Sequence, residues 1–272
     1  SLILACMLNY DCSNLISAPT INPLSHKKSP GSSSGSERAL IGAERGPSWA
    51  LGQMLPEAFA CQAVSVRICG LKPTGSRLST LGLVTPTAGM KSVTATIGPM
   101  AKDVDSLALC MKALLCDELF HLDPSIPPMP FKDEIYSSST PLRIGYYEDD
   151  GYFEPSPSMR RAVREAKHLL QTSGHTLIPF EPPRLNYVVD ELFTRGLYSD
   201  GAATLVEKFK GDIVDPNLKS QINCYSIPII VKRILAFILK PVYLRIARDF
   251  NALCGVGSAK NLWKLLAAVS SG

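Results

Sequence analysis

The sequence predicts an α/β fold. Three observations carry that expectation: a strand–helix–strand run between Leu142 and Phe180, a second amphipathic helix near Asp103–Leu115, and enough chain to bury a sizeable core. Leu142-Arg143-Ile144-Gly145-Tyr146-Tyr147 alternates like a strand. Ser156-Pro157 then opens a helix, with a capping hydroxyl followed by a proline whose missing N–H is not needed in the first turn. Met159, Ala162, Val163, Ala166, Leu169 and Leu170 recur at helical spacing, Gly174 stops the helix, and His175 to Phe180 returns as a short strand. Short connections make this a βαβ unit. The second helix places Val104, Leu107, Ala108, Met111, Leu114 and Leu115 on one face. Between the two, Asp123-Pro124 through Pro130 reads as a proline-rich surface connection, and no internal repeat is evident.

The 272 residues suit one large domain or two small ones, and 46 % hydrophobic with 19 % charged residues describes an ordinary globular chain. A net charge of +4, scattered along the chain, argues against a nucleic-acid partner, which needs a concentrated basic stripe. The eight cysteines form no C-x-x-C pair and are expected to be reduced, mostly buried thiols. His26, His121, His168 and His175 form no H-x-x-x-H pattern, so no metal site is expected. The chain opens Ser1-Leu2-Ile3 without an initiator Met or a signal-peptide start, and stops at Val269-Ser270-Ser271-Gly272. It reads as an internal fragment.

Chemistry is expected in Ser29-Pro30-Gly31-Ser32-Ser33-Ser34-Gly35-Ser36-Glu37. Taken alone, such a cluster also fits a flexible linker. Its context favours a site: apolar Ala39-Leu40-Ile41-Gly42 follows, then Cys69-Gly70-Leu71-Lys72-Pro73-Thr74-Gly75, then Gly98-Pro99-Met100-Ala101-Lys102-Asp103-Val104. In that order these segments resemble the amidase signature family, whose core reads G-G-S-S-G-G-E-x-A, G-T-D-x-G-G-S, G-L-K-P-T and G-P-M-A-R-D-V. Further runs resemble its fatty-acid-amide-hydrolysing branch, among them Tyr10-Asp11-Cys12-Ser13-Asn14, Gly145-Tyr146-Tyr147-Glu148, Phe209-Lys210-Gly211-Asp212 and Val214-Asp215-Pro216. Apart from one window, the resemblance covers nearly everything from Met7 to about Leu265.

The resemblance implies an amidase-signature fold, a mixed sheet surrounded by helices and incomplete here, with residues 1–272 forming part of a single amidase domain. It implies hydrolysis of fatty acid amides by a Ser–Ser–Lys triad without a cofactor. A nucleophilic serine attacks the carbonyl, a second serine relays the proton and a lysine is the base. Backbone N–H groups of a glycine-rich stretch form the oxyanion hole, each donor worth about 3 kcal/mol of barrier. The bridging serine carries over to Ser33, with Ser34 beside it; a substrate-contacting methionine carries over to Met7, and the aromatic of the family's G-L-F-S-D-G run to Tyr198. Ser32 and Ser36 stand where the family has glycines. The lysine base falls before Ser1, and Lys28 is not its equivalent.

The nucleophile is missing too. Where G-T-D-x-G-G-S belongs, the chain has Leu51-Gly52-Gln53-Met54-Leu55-Pro56-Glu57-Ala58-Phe59-Ala60-Cys61. Reading allowed codons for Ala43–Arg67 from their third bases yields G-A-G-P-L-L-G-L-G-T-D-V-A-G-S-I-R-L-P, nearly the family motif, with the nucleophile falling at Glu57 and Ala58. The segment therefore reads as translated out of frame; the alternative is a diverged loop. Its Trp49, Met54, Leu55 and Phe59 would block an oxyanion hole that needs small residues.

Finally, Ile227-Pro228 through Ile246 alternates apolar clusters with Lys232, Arg233, Lys240 and Arg245, followed by Arg248. No run reaches the roughly 20 apolar residues of a spanning helix, and Pro241 splits the stretch into two short helices. These suit either a core hairpin or a membrane interface. The resemblance favours the second, a peripheral contact with intracellular endomembranes through about Ser226–Phe250, and it leaves room for a homodimer in the intact family. Two functional classes follow: a membrane-associated serine amidase, or a catalytically dead product lacking base and nucleophile.

Overall fold

The structure, a computed structural model, describes residues 12–13, 19–31, 34–43, 48–54, 66–83, 93 and 96–270. Its first part holds α1 (Gly35–Gly42), β1 (Trp49–Met54), β2 (Cys69–Gly70) and β3 (Thr96–Ala101). β3 is the central strand, antiparallel to both neighbours, with Trp49 opposite Ala101 and Met54 opposite Thr96 on one side and Cys69 opposite Ala101 on the other. Its Pro99 is buried in a central strand, where proline is normally excluded for want of an N–H. A strand residue's nitrogen and carbonyl face the same neighbour, and the Pro99 carbonyl accepts from the Leu71 N–H at 3.0 Å. The missing donor therefore points to the side where β2 has already ended, and the ladder to β1 loses nothing. Ile41, Val66, Ile68 and Met100 form the apolar cluster between α1 and this sheet.

α2 (Val104–Leu114) starts where the periodicity predicts, because Asp103 Oδ1 accepts from the Ser106 N–H at 2.7 Å. The buried face is Leu107, Cys110 and Met111, rotated from the expected one, so that Val104 is exposed. Met111, Leu115 and Leu78 form a second cluster, joined by Leu119, Phe120 and Phe131. α3 (Asp117–Leu122) and the single turn α4 (Asp133–Tyr136) border the proline-rich connection.

The βαβ unit is present as β4 (Arg143–Tyr146), α5 (Pro157–Thr172) and β5 (Thr176–Pro179), with the strands parallel. Both sheet orientations thus occur, but among the described residues in two separate sheets rather than one mixed sheet. No α5 residue is buried, and the unit is knitted at its surface instead. Arg164 pairs with Glu148 at 2.7 Å, Arg160 with Asp149 at 2.7 Å, and Lys167 Nζ donates to Tyr146 Oη at 2.6 Å while sitting over that ring. The helix ends in a Schellman arrangement: the Gly174 N–H reaches Gln171 O and the His175 N–H reaches Leu170 O, both at 3.0 Å, with Gly174 at φ +90°. His175 Nδ1 then accepts from the Leu142 N–H at 3.1 Å, aligning the two strand starts.

The rest is helical: α6 (Leu185–Tyr187), a π-helical segment (Val188–Phe193), α7 (Thr194–Leu197), α8 (Ala203–Lys208), α9 (Pro216–Ser226), α10 (Ile229–Leu239), α11 (Leu244–Cys254) and α12 (Ala259–Ser270). Its core is Leu197, Tyr198, Ala202, Leu205 and Leu253, packed by Phe193, Phe209, Ile222 and Tyr225. Ser13, near the start of the described chain, donates to Asp215 Oδ2 at 2.7 Å, while Asp215 also caps α9 through the Asn217 N–H. α10 and α11 form the hairpin expected on either side of Pro241.

The Schellman end supplies a test. A side chain added at Gly174 would meet nothing within 4 Å, so Gly174→Ala should act through the backbone alone and cost about 1 kcal/mol, read as a lower urea midpoint at unchanged m-value. Asn at the same position should cost less.

Candidate active site

Ser34 precedes α1 at its N-cap position but makes no capping bond. The residue is fully buried, and its Oγ has no hydrogen-bond partner among the described residues. β1 passes directly over it. A Cβ on Gly52 would lie 2.7 Å from Ser34 Oγ and 2.7 Å from Met100 Cε, so only a glycine lets the strand come this close. Gly35 plays the same part on the other side, where a Cβ would lie 2.6 Å from Cys12 Cβ. Unmet, such a hydroxyl costs about 1–3 kcal/mol, which marks it as a place to look for chemistry.

The loop leading here is held by Asn22, fully buried, whose Nδ2 donates to Ser29 O at 3.2 Å and whose Oδ1 accepts from the Leu24 N–H at 2.9 Å. Ser36, one of the two departures from the family's glycines, is accommodated: its hydroxyl lies 3.2 Å from Thr20 Oγ1 and 3.9 Å from Cys12 Sγ. The other departure, Ser32, lies outside the described residues, as do Ser33, Met7, Glu57 and Ala58. β1 lies within the stretch read as out of frame, and its Trp49 and Leu51 are exposed.

One residue near Ser34 was missed from sequence. Arg38, at the unconstrained position of G-G-E-x-A, is buried one turn into α1, its N–H on Ser34 O at 3.2 Å and its Nε 3.4 Å from Met100 Sδ. Burial lowers its pKa to about 10, against the opposing pull of Cys12 and Glu37. It remains a cation at neutral pH and is no substitute for a lysine base. Only its place in the motif, an arginine in a run of small residues, could have signalled it.

Tyr198 lies in the helical core, not at the sheet with Ser34. Its hydroxyl accepts from Tyr225 Oη at 2.6 Å, and Tyr225 in turn accepts from Gln221 Nε2 at 2.8 Å, with the two rings 4.6 Å apart. Where the resemblance implies a bare aromatic ring, this chain has a hydrogen-bonded phenol. Of the six cysteines described, none in a disulfide, Cys12 and Cys110 are buried and the other four are half-buried, a more open set than expected. Among the described residues no group of His, Cys, Asp and Glu has the arrangement of a metal site.

The hairpin is rooted in a charged seam. Asp190, 1 % exposed on the π-helical segment, accepts from Tyr152 Oη at 2.5 Å and from Arg248 Nη1 at 2.7 Å. Arg245 lies over the Tyr152 and Phe153 rings and donates to Tyr152 O. A cavity of about 510 Å³ beside this seam is lined by Asp150, Arg184, Asn186, Asp190, Glu191 and Arg248, among others. Arg248 is half-buried in the seam and Lys232 is 3 % exposed; Arg245 contacts the protein while staying exposed, and Arg233 and Lys240 are exposed as well.

The seam has a pH sense. Packing, and then the charge of Asp190, raises the Asp249 carboxyl to about 6. A carboxyl raised in the fold disfavours the folded state when ionised, so stability should increase as pH falls through 6 toward the ordinary carboxylate range. Solvent on the outer side of Asp249 keeps the effect small. Thermal melts should show Asp249→Asn raising Tm at pH 7.5 and flattening its change between pH 7.5 and 5. Asp190→Ala, which strands Arg248 and Tyr152, should cost about 2 kcal/mol at either pH.

Residues 5–252 match the family model for amidases. The chain is 63 % identical over 263 residues to a vitamin D3 hydroxylase-associated protein of Gallus gallus, covering 97 % of this chain and 56 % of that one. It is 46 % identical over 259 residues to fatty-acid amide hydrolase 1 of Sus scrofa, covering 95 % of this chain and 44 % of that one. A solved fatty acid amide hydrolase superposes with a TM-score of 0.68 at 24 % identity, over 92 % of this chain and 50 % of that structure, and so shares the fold. The chain spans about half the length of these relatives. It belongs to the amidase signature family, with strong homology to fatty acid amide hydrolase, and has that family's α/β fold.

Proposed function

We propose that the chain is part of a serine amidase acting on fatty acid amides, and that these 272 residues alone do not catalyse the reaction. The observation that carries this reading is the buried Ser34 hydroxyl at the start of α1, without a hydrogen-bond partner among the described residues and packed under the Gly52 backbone. A hydroxyl kept out of water beside Ser33, in the stretch that matches the family's serine-rich core, suits a site where a proton is relayed between serines. In the intact enzyme Ser33 bridges nucleophile and lysine, Met7 and Tyr198 contact the acyl part, and the substrate is cleaved to a fatty acid and an amine.

The catalytically dead reading has its own support. The family's nucleophile motif is replaced at Glu57 and Ala58, and Arg38 is too basic to accept a proton at neutral pH. Loss of the nucleophile alone removes many orders of magnitude of rate. The purified 272-residue chain should therefore leave an oleoyl amide uncleaved; turnover that Ser33→Ala abolishes would overturn this. Reading the transcript across Ala43–Arg67 separates the two classes, since an in-frame G-T-D-V-A-G-S would return the nucleophile.

The second part of the reading is peripheral membrane binding through the hairpin. It is supported by the exposure of Ile230, Ile234, Phe237, Ile238, Val242 and Tyr243, with Arg233 and Lys240 beside them. Among the described residues no single helix is long and apolar enough to cross a membrane. Phe237 is 82 % exposed, and burying such a ring in lipid stabilises by about 2 kcal/mol. In flotation with anionic vesicles, Phe237→Asp should weaken binding about tenfold or more, and high salt should weaken the unaltered chain only in part. A chain that stays at the bottom of the gradient at low salt would show the hairpin to be packing surface.

A further inference from the structure

α9 and α10 are separated by two extended residues, Ile227 and Pro228, and the chain bends there by 101°. A helix end leaves carbonyls without intrahelical partners, and a bend must satisfy them. Here Ser226 Oγ donates to Ile222 O at 2.8 Å, and the Ile227 N–H reaches Cys224 O at 3.4 Å. Tyr225 O is met from the other helix: Lys232 Nζ, one turn into α10, donates to it at 2.9 Å.

That lysine is out of keeping with its helix. Ile230 is 73 % exposed and Phe237 82 %, yet Lys232 is 3 % exposed, so the apolar side chains face outward and the ammonium inward. The inversion has an electrostatic cause. The ammonium sits at the negative end of the α9 dipole, where a cation both bonds the last carbonyls and offsets their partial charge. Burial lowers the Lys232 pKa, with the Cys254 and Cys224 thiols opposing. The contact is anchored on both sides: Tyr225 is tied by its hydroxyl to Tyr198 in the core, and Cys254 Sγ of α11 lies 3.6 Å from Ile229 O at the start of α10.

We infer that Lys232 is a positioning residue for the hairpin, its ammonium capping α9 and holding the elbow that lays the apolar face of α10 flat against a lipid surface. This rests on the membrane reading above. Pro228 sets the bend, since it cannot continue a helix, but it leaves the swing of α10 about Ile227 and Pro228 unfixed. By length and composition α9 and α10 together suffice for a broken span, so an α10 without the Lys232 contact would tilt into the bilayer and carry Ile230 below the headgroups.

The test uses the whole chain with Ile230→Trp as reporter, Trp49→Phe and Trp263→Phe removing the other indoles, on vesicles of phosphatidylcholine and phosphatidylserine. Bromines placed near the headgroup or near the methyl end of the acyl chains read its depth. With Lys232 present, headgroup-end bromines should quench best. Lys232→Met should at least double quenching by methyl-end bromines, and Lys232→Arg, which keeps a donor for Tyr225 O, should restore the shallow profile. The same shallow profile in Lys232→Met would overturn the inference and leave membrane binding intact, whereas no quenching in any variant would sink both. Should Lys232→Met fail to fold, amine acetylation of the unaltered chain decides. Lys232 should react about tenfold more slowly than Lys240, in solution and on vesicles, and equal rates would overturn the inference.

Discussion

The close approach of β1 to the start of α1 is the constraint on which the sheet end of the molecule depends. Gly52 brings the β1 backbone into contact with Ser34 and Met100, and Gly35 admits Cys12 from the opposite side. With those two positions open, β3 can lie buried between its neighbours while Ile41 and Met100 close the cluster beneath α1. A side chain at Gly52 would force a shift, because its Cβ would lie 2.7 Å from both the fully buried Ser34 Oγ and the Met100 Cε. Ser34 is thus packed as tightly as the core, with the Gly52 backbone lying against its hydroxyl.

Arg38, Asp190 and Lys232 are buried charges handled in three ways. Burial lowers the basicity of Arg38 to about 10 against the pull of Cys12 and Glu37, and it keeps its charge at neutral pH. Asp190 is neutralised by Arg248 and bonded by Tyr152, which ties the π-helical segment, the loop before α5 and α11 together. Lys232 takes a helix end as its counter-charge. Each solution fixes the relative placement of two segments, which is what a buried polar contact does best: a lost partner costs more than the contact contributes.

The same economy separates the two faces of the hairpin. Its inner face is closed by Ala236, Ala247, Phe250 and Leu253 and by the seam at Asp190, and its outer face is left with Ile230, Phe237, Ile238 and Val242. Basic residues that look alike in sequence are divided accordingly, Arg245 and Arg248 to the seam, Lys232 to the elbow, Arg233 and Lys240 to the outside.

The sequence by itself determined the βαβ unit, because Ser156-Pro157, the helical spacing from Met159 to Leu170 and Gly174 are local signals that act within a few residues. It likewise determined the start of α2 at Asp103, the break at Pro241 and the family, since ordered motifs survive in the letters. Tertiary structure alone decided which side of a helix is inside. Val104 turned outward and Cys110 inward, Tyr198 met a second phenol, and Arg38 and Lys232 went into the protein. The physical reason is that periodicity reports where apolar groups recur, whereas the burial of a charge depends on a partner distant in sequence or on another helix: Met100 for Arg38, the end of α9 for Lys232, Arg248 for Asp190.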